Sequence, residues 1–192
     1  MKRVKYIVSA AALTILLSAC GGSPTESADL NAVLDRTLTA LESYQVHLSE
    51  NNVTEVSDQE MPTLLENLHD SYNAEPKFYG APIGVALKED ASFDGFKDSN
   101  SNNIKDSGES TIFTVEIDSE NQRLIATDET GTSTFRGAAT GFLAGALIGH
   151  LLSRQMGAGI KPGAFNNRKV SSPASYSSAR AASRSGGSSS RK

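Results

Sequence analysis

The chain has 192 residues, a formal charge of −4, no Trp and one cysteine, and only 6 % of its residues are aromatic. A single cysteine excludes an internal disulfide, and the thin aromatic content argues against a large core. The modest net charge hides a split: all 22 acidic residues lie between Glu26 and Glu129 beside six basic ones, a net −16, whereas from Arg136 onward there are nine basic residues and no acidic ones. Such asymmetry signals interaction and carries no information about fold.

Residues 1–19 have the plan of a secretory signal. Lys2, Arg3 and Lys5 form the positive end, and Tyr6 to Leu17 an apolar run too short and too soon interrupted for a transmembrane helix. Leu17-Ser18-Ala19-Cys20 follows, and these four residues resemble the lipobox of bacterial lipoproteins. The resemblance implies cleavage before Cys20, diacylglycerol on its thiol and a lipid anchor in the cell envelope. Gly21 does not resemble the inner-membrane retention signal, which favours the outer membrane where the host has one. Residues 20–27 then read as a lipidated tether.

The next segment, 28–135, reads as a small acidic α+β domain. Ser27 or Asp29 can cap a helix running to about Gln45, with Leu30, Val33, Leu34, Leu38, Leu41 and Tyr44 as its apolar stripe. A second helix is expected from Ser57 to Tyr72. Ser57 and Glu60 have capping-box spacing, Met61, Leu64, Leu65 and Leu68 give the stripe, and Pro62 is tolerable in a first turn. The two should pack as a hairpin. Strands are expected at Ile83–Leu87, Ile112–Ile117 and Arg123–Thr127, the last two joined by a turn at Ser119–Gln122. Phe113, Val115 and Ile117 alternate with polar residues, as a half-buried strand requires.

Between strands lies Asp98-Ser99-Asn100-Ser101-Asn102-Asn103-Ile104-Lys105-Asp106-Ser107-Gly108-Glu109. Counted as a twelve-residue loop, it puts Asp98, Asn100, Asn102, Asp106 and Glu109 at positions 1, 3, 5, 9 and 12, with the Ile104 carbonyl at position 7. That is the oxygen-ligand spacing of an EF-hand-type calcium site. Calcium takes six to eight oxygens, and alternate side chains turn inward as the backbone wraps the ion. Position 6 needs a sharp, often left-handed turn, for which Asn103 is the next choice after Gly. The flanks do not look helical. The loop more closely resembles the calcium loops of B-type repeats in bacterial surface adhesins, Asp-x-Asn-x-Asn-Gly-Ile-x-Asp-x-Gly-Glu, with Asn103 in place of their Gly. The resemblance covers about a dozen residues. It implies a structural calcium ion that pins the loop and joins the flanking strands, with an affinity on the order of 0.1–1 mM. Asp94 is a further candidate ligand.

Gly137, Gly141, Gly145 and Gly149 recur every fourth residue, so on a helix they would share one narrow face open to close packing. Residues 136–156 are therefore expected to form a single helix resembling the glycine-zipper segments of bacterial outer-membrane lipoproteins, in membrane contact or in a homo-oligomer. From Gly137 to Leu152 it would reach about 24 Å, short of a bilayer core of about 30 Å. Residues 157–192 are rich in Ser, Gly, Ala, Arg and Lys and are expected to be disordered. Their charge suits anionic lipid, cell-wall polymer or the acidic body of the same protein, and nucleic acid poorly.

No catalytic constellation is visible: there is no Gly-x-Ser-x-Gly, phosphate loop or His-Glu-x-x-His, and Cys20 is consumed by lipid. The expectation is a non-enzymatic envelope lipoprotein with a structural or interaction role. The alternative is a binding module whose acidic domain recruits a ligand or partner, the zipper serving oligomerisation alone.

Overall fold

The computed structural model describes residues 27–138 and 145–185. Cys20 and Gly141 lie outside them. Helix α1 (Leu30–Glu50) and helix α2 (Met61–Asn73) are followed by strands β1 (Ile83–Leu87), β2 (Phe93–Lys97), β3 (Thr111–Asp118), β4 (Arg123–Asp128) and β5 (Ser133–Gly137), then helices α3 (Ala146–Gly157) and α4 (Pro173–Ser185). The strands form an antiparallel meander in the order β1-β2-β3-β4-β5. The chain is thus α+β.

α1 begins where the sequence places a cap. Asp29 has extended backbone, and its carboxylate accepts the Asn31 N–H at 3.1 Å. The helix runs five residues past Gln45 because its apolar stripe continues to a buried Leu48. α2 starts at Met61, four residues after the expected Ser57, because Glu60 reaches back to the Ser57 N–H (2.9 Å) and hydroxyl (2.6 Å) and closes a turn ahead of the helix instead of capping it. These bonds hold the Glu60 carboxyl below its ordinary range.

The helices pack as the expected hairpin and cover one sheet face. Thr37 and the Tyr72 hydroxyl meet at 2.7 Å, and burial pushes the Tyr72 phenol well above its ordinary value. Arg36 of α1 donates to the carbonyls of Ser71 (2.6 Å) and Ala74 (2.7 Å) as well as those of Tyr72 and Pro76, while its guanidinium lies over the Phe78 ring. One cation thus satisfies two carbonyls of the last turn of α2 and two just beyond it. Under the helices, Phe113 meets Tyr72 edge-on with centroids 5.2 Å apart, and Val115, Ile117, Leu124 and Ala126 complete the sheet's contribution.

Two strands depart from expectation. β2 carries Gly95 and Asp94, which weaken a strand signal, but Gly95 is where the Phe113 ring lies across the neighbouring strand. β5 takes in Arg136 and Gly137, read as the first residues of a glycine-zipper helix, and extends back to Ser133, for which no strand was expected.

That zipper is corrected by the fold. Gly137 ends β5, Gly145 precedes α3 with φ 171°, and Gly149 is exposed on α3 with open space around it. The described glycines therefore do not line one helix. α3 instead buries Leu147, Ile148 and Leu151 in the domain's own core, and Gln155 donates to the Ile117 carbonyl at 2.9 Å. Among the described residues no helix is long and apolar enough to cross a membrane. Burial in the domain's own core replaces the close helix partner that glycine spacing suggested.

The basic tail is corrected too. Residues 157–185 are placed against the domain and include α4. They build no core of their own and borrow one: Tyr176 is buried, and Ser171 pairs with Thr134 along β5. The acidic body also draws in the basic residues. Arg136 pairs with Asp35, Arg154 with Asp58 at 2.6 Å and Arg168 with Glu116. The bonds from Arg154 and His150 keep the Asp58 carboxyl low, whereas burial raises that of Glu116 against the pull of Arg168.

Candidate metal centre

The β2–β3 connection holds the loop with calcium-type spacing. Its base is closed by the sheet: the Lys97 N–H donates to the Ser110 carbonyl at 3.0 Å and the Asp98 N–H to the Pro82 carbonyl at 3.1 Å. Asp98, at position 1, is only 1 % exposed. Its two carboxylate oxygens accept the N–H groups of Asn102 (3.2 Å) and Asn103 (2.8 Å), which wraps the first half of the loop around them.

Asx turns set the inward alternation. The Asn100 side-chain oxygen accepts the Asn102 N–H at 3.2 Å, and that of Asn102 accepts the Ile104 N–H at 2.8 Å. Their amide groups then converge: the Nδ2 atoms of Asn100 and Asn102 stand 2.8 and 3.1 Å from Asp106 Oδ2. Positions 3, 5 and 9 thus meet at one point. A half-turn of each amide exchanges nitrogen for oxygen there, at the loss of the Asx-turn bond. Glu109 closes the loop from position 12, its carboxylate accepting Ser99 N–H at 2.7 Å and Asp106 N–H at 3.1 Å.

Asn103 resolves its mismatch with the adhesin pattern. Its φ of 55° is the left-handed turn expected at position 6. Glycine would supply that turn more freely, but Asn103 Oδ1 also accepts the Val85 N–H at 2.9 Å on the outer edge of β1. A neighbouring cap works the same edge, where the Asn73 amide bonds both the N–H (2.9 Å) and the carbonyl (2.8 Å) of Ile83. Side chains thereby satisfy an edge strand that would otherwise present open backbone groups. Asn103→Gly is expected to keep the turn and lose about 1 kcal/mol by uncapping Val85, measured as a lower urea midpoint at unchanged slope.

Asp94 is not a ligand in this arrangement. It sits on β2 against Lys105 Nζ at 3.0 Å and accepts Thr114 Oγ1 at 2.7 Å. The bond also draws the Lys105 charge from the loop onto the sheet. Ile104, whose carbonyl holds position 7, has an exposed side chain.

The donors present are all oxygen: three carboxylates, two amides and one carbonyl, the chemistry of a hard cation with six to eight ligands. The structure brings Asn100, Asn102 and Asp106 together. It keeps Asp98 and Glu109 on backbone N–H groups, and among the described residues no three Asp, Glu, His or Cys side chains are grouped to hold a metal. Asp98 and Glu109 would have to turn part of their carboxylates inward. The chain matches no known family model, no curated protein and no solved structure.

Proposed function

We propose that this chain is a lipoprotein of the bacterial envelope, held by lipid on Cys20, whose folded body is a non-catalytic interaction domain with a calcium-stiffened β2–β3 loop. The convergence of Asn100 and Asn102 on Asp106 within a loop of calcium spacing carries the reading. Position 6 supports it with a left-handed Asn103, and position 1 with a buried Asp98 that organises the following backbone. A bound ion would pin a segment that bears on three strands: β2 and β3 by connectivity, and β1 through Asn103. The role is structural, stiffening one end of the sheet in an extracytoplasmic, calcium-containing space. Lipid on Cys20 follows from Leu17-Ser18-Ala19-Cys20.

Two measurements test the halves separately. Intact mass of the chain extracted from membranes is expected to correspond to residues 20–192 plus diacylglycerol; an unmodified Cys20 would refute the anchor. For an affinity of about 0.1–1 mM, calcium at about 10 mM should stabilise the fold by about 1.4–2.7 kcal/mol. That is a rise of about 3–11 °C in melting temperature. Magnesium, which demands smaller octahedral sites, should give little. No rise, or the same rise in Asp98→Ala, would refute the calcium site.

A further inference from the structure

α3 ends in a turn that builds a cavity against the β3–β4 connection. Gly159 takes left-handed backbone (φ 85°), and the N–H groups of Gly159 and Ile160 donate to the carbonyls of Met156 (3.0 Å) and Gln155 (2.9 Å). These are the paired bonds of a glycine C-cap, which reverses the chain and brings the apolar residue after the glycine back beside the helix. Leu152, Gln155 and Met156, spaced three and four apart, share one face of α3. Beyond the reversal, the Lys161 carbonyl accepts the Ala164 N–H at 3.1 Å, and a second left-handed residue, Gly163 (φ 81°), leads to Phe165. Together with residues 118–120 they surround a cavity of about 130 Å³.

The lining combines an apolar wall with three polar groups. Leu152, Met156, Ile160 and Phe165 give the wall. Gln155 is only 6 % exposed, and its Nε2 donates to the Ile117 carbonyl at 2.9 Å, while its Oε1 meets no donor among the described residues. An amide oxygen so deeply placed costs stability unless solvent or a ligand supplies the missing donor. At the rim, exposed Lys161 makes no ion pair among the described residues. Glu120 gives Oε2 to Asn166 Nδ2 at 3.3 Å and keeps Oε1. Asp118 adds no open charge, because Arg123 and Asn121 occupy its carboxylate oxygens. An apolar cavity of about 150 Å³ accepts one benzene ring, so this one suits a side chain of about four to six carbons.

We infer that this cavity binds a free α-amino acid with a medium-sized aliphatic side chain, such as leucine. The side chain lies on the apolar wall, the ammonium donates to Gln155 Oε1 and Glu120, and the carboxylate meets Lys161. Few apolar groups of this size carry a donor cation and an anion one carbon apart, and the lining asks for both. The site is at the opposite end of β3 from the calcium-type loop. β3 is eight residues long, which separates them by about 24 Å. The inference therefore depends neither on that ion nor on the anchor at Cys20.

The test is a nuclear magnetic resonance titration of the isotope-labelled mature chain with leucine, followed on backbone amides. Saturable shifts are expected at Gln155, Ile160 and Gly163, with residues 98–109 unmoved. Alanine lacks three of the side-chain carbons and should bind at least about tenfold more weakly. Isocaproate, which lacks the ammonium, and isoamylamine, which lacks the carboxylate, should each lose about tenfold against leucine. Lys161→Ala should weaken leucine by about the same factor, leave isoamylamine unaffected and keep the melting temperature of the parent chain. No shift at these three amides with millimolar leucine would overturn the inference. So would alanine or isocaproate binding as tightly as leucine, or a Lys161→Ala chain that binds leucine as the parent does.

Discussion

Phe113→Ala is expected to lose about 3–5 kcal/mol of folding stability, the largest effect of any single truncation considered. Phe113 has no solvent exposure and joins both layers of the core. Its ring meets Tyr72 of α2 at 5.2 Å and Phe78 at 6.4 Å between centroids. Its other side lies over Gly95 so closely that a Cβ there would stand 2.2 Å from Phe113 Cζ. The substitution therefore removes an aromatic side chain from a site whose neighbours are fixed by two helices and a strand, and the cavity cannot collapse fully. Gly95→Ala is expected to cost more than the usual 1–3 kcal/mol of overpacking, because the ring it strikes has nowhere to go. The double variant should be more stable than the sum of the single losses implies, since the cavity of one relieves the clash of the other. Urea denaturation of the four proteins checks this. Additive losses would mean that the two residues do not share that space.

Arg123→Ala is expected to cost about 3 kcal/mol, and Asp118→Asn distinctly less. The Asp118 carboxylate is 2 % exposed and receives Arg123 Nε at 2.8 Å, while the guanidinium lies 5.2 Å from the Phe135 ring centroid. Removing Arg123 leaves a buried negative charge with only the Asn121 amide and backbone N–H as partners. Removing the charge of Asp118 leaves a cation that keeps its stacking on Phe135 and some contact with water. The double variant should recover part of the Arg123→Ala loss, because it removes the orphaned charge. Thermal unfolding of the same four-protein cycle measures it, and a double variant no more stable than Arg123→Ala would show that the pair is not coupled.

The sequence was most informative where chemistry is local. Asp29, the Ser119–Gln122 turn and the alternation of Phe113, Val115 and Ile117 each act within a few residues, and each element they announce is present; the Ser57 and Glu60 pair also forms, but as a turn ahead of a helix that starts at Met61. β2 was obscured because Gly95 is chosen by a ring on the next strand, which no window of sequence can reveal. The four-residue glycine spacing pointed to a helix face, but the chain changes from strand to helix inside the repeat: Gly137 belongs to β5, and the described helix starts at Ala146. The tail was read from its own composition, which cannot bury a core. What holds it is spread over partners more than 100 residues away, with Tyr176 on Leu30 and Ala28 and Arg180 on Ser27 and Ala28. The large side chain of Tyr176 in a Ser- and Ala-rich stretch was the available hint.

At the candidate centre, spacing picked out the candidate donors and anticipated the left-handed backbone of Asn103 at position 6. Spacing did not specify that Asn103 also caps β1, or that Lys105 leaves the loop for Asp94. Both follow from where the meander places β1 and β2 beside the loop. They make the loop part of the sheet's edge, so that an ion bound there would act on β1 as well as on the loop.

Calorimetric titration of the mature chain with calcium, beside Asp98→Ala, bears most directly on this account. The expected result is one ion per chain with a dissociation constant on the order of 0.1–1 mM, and no measurable binding in the variant. Absence of heat in the wild-type chain, or equal binding by Asp98→Ala, would contradict it.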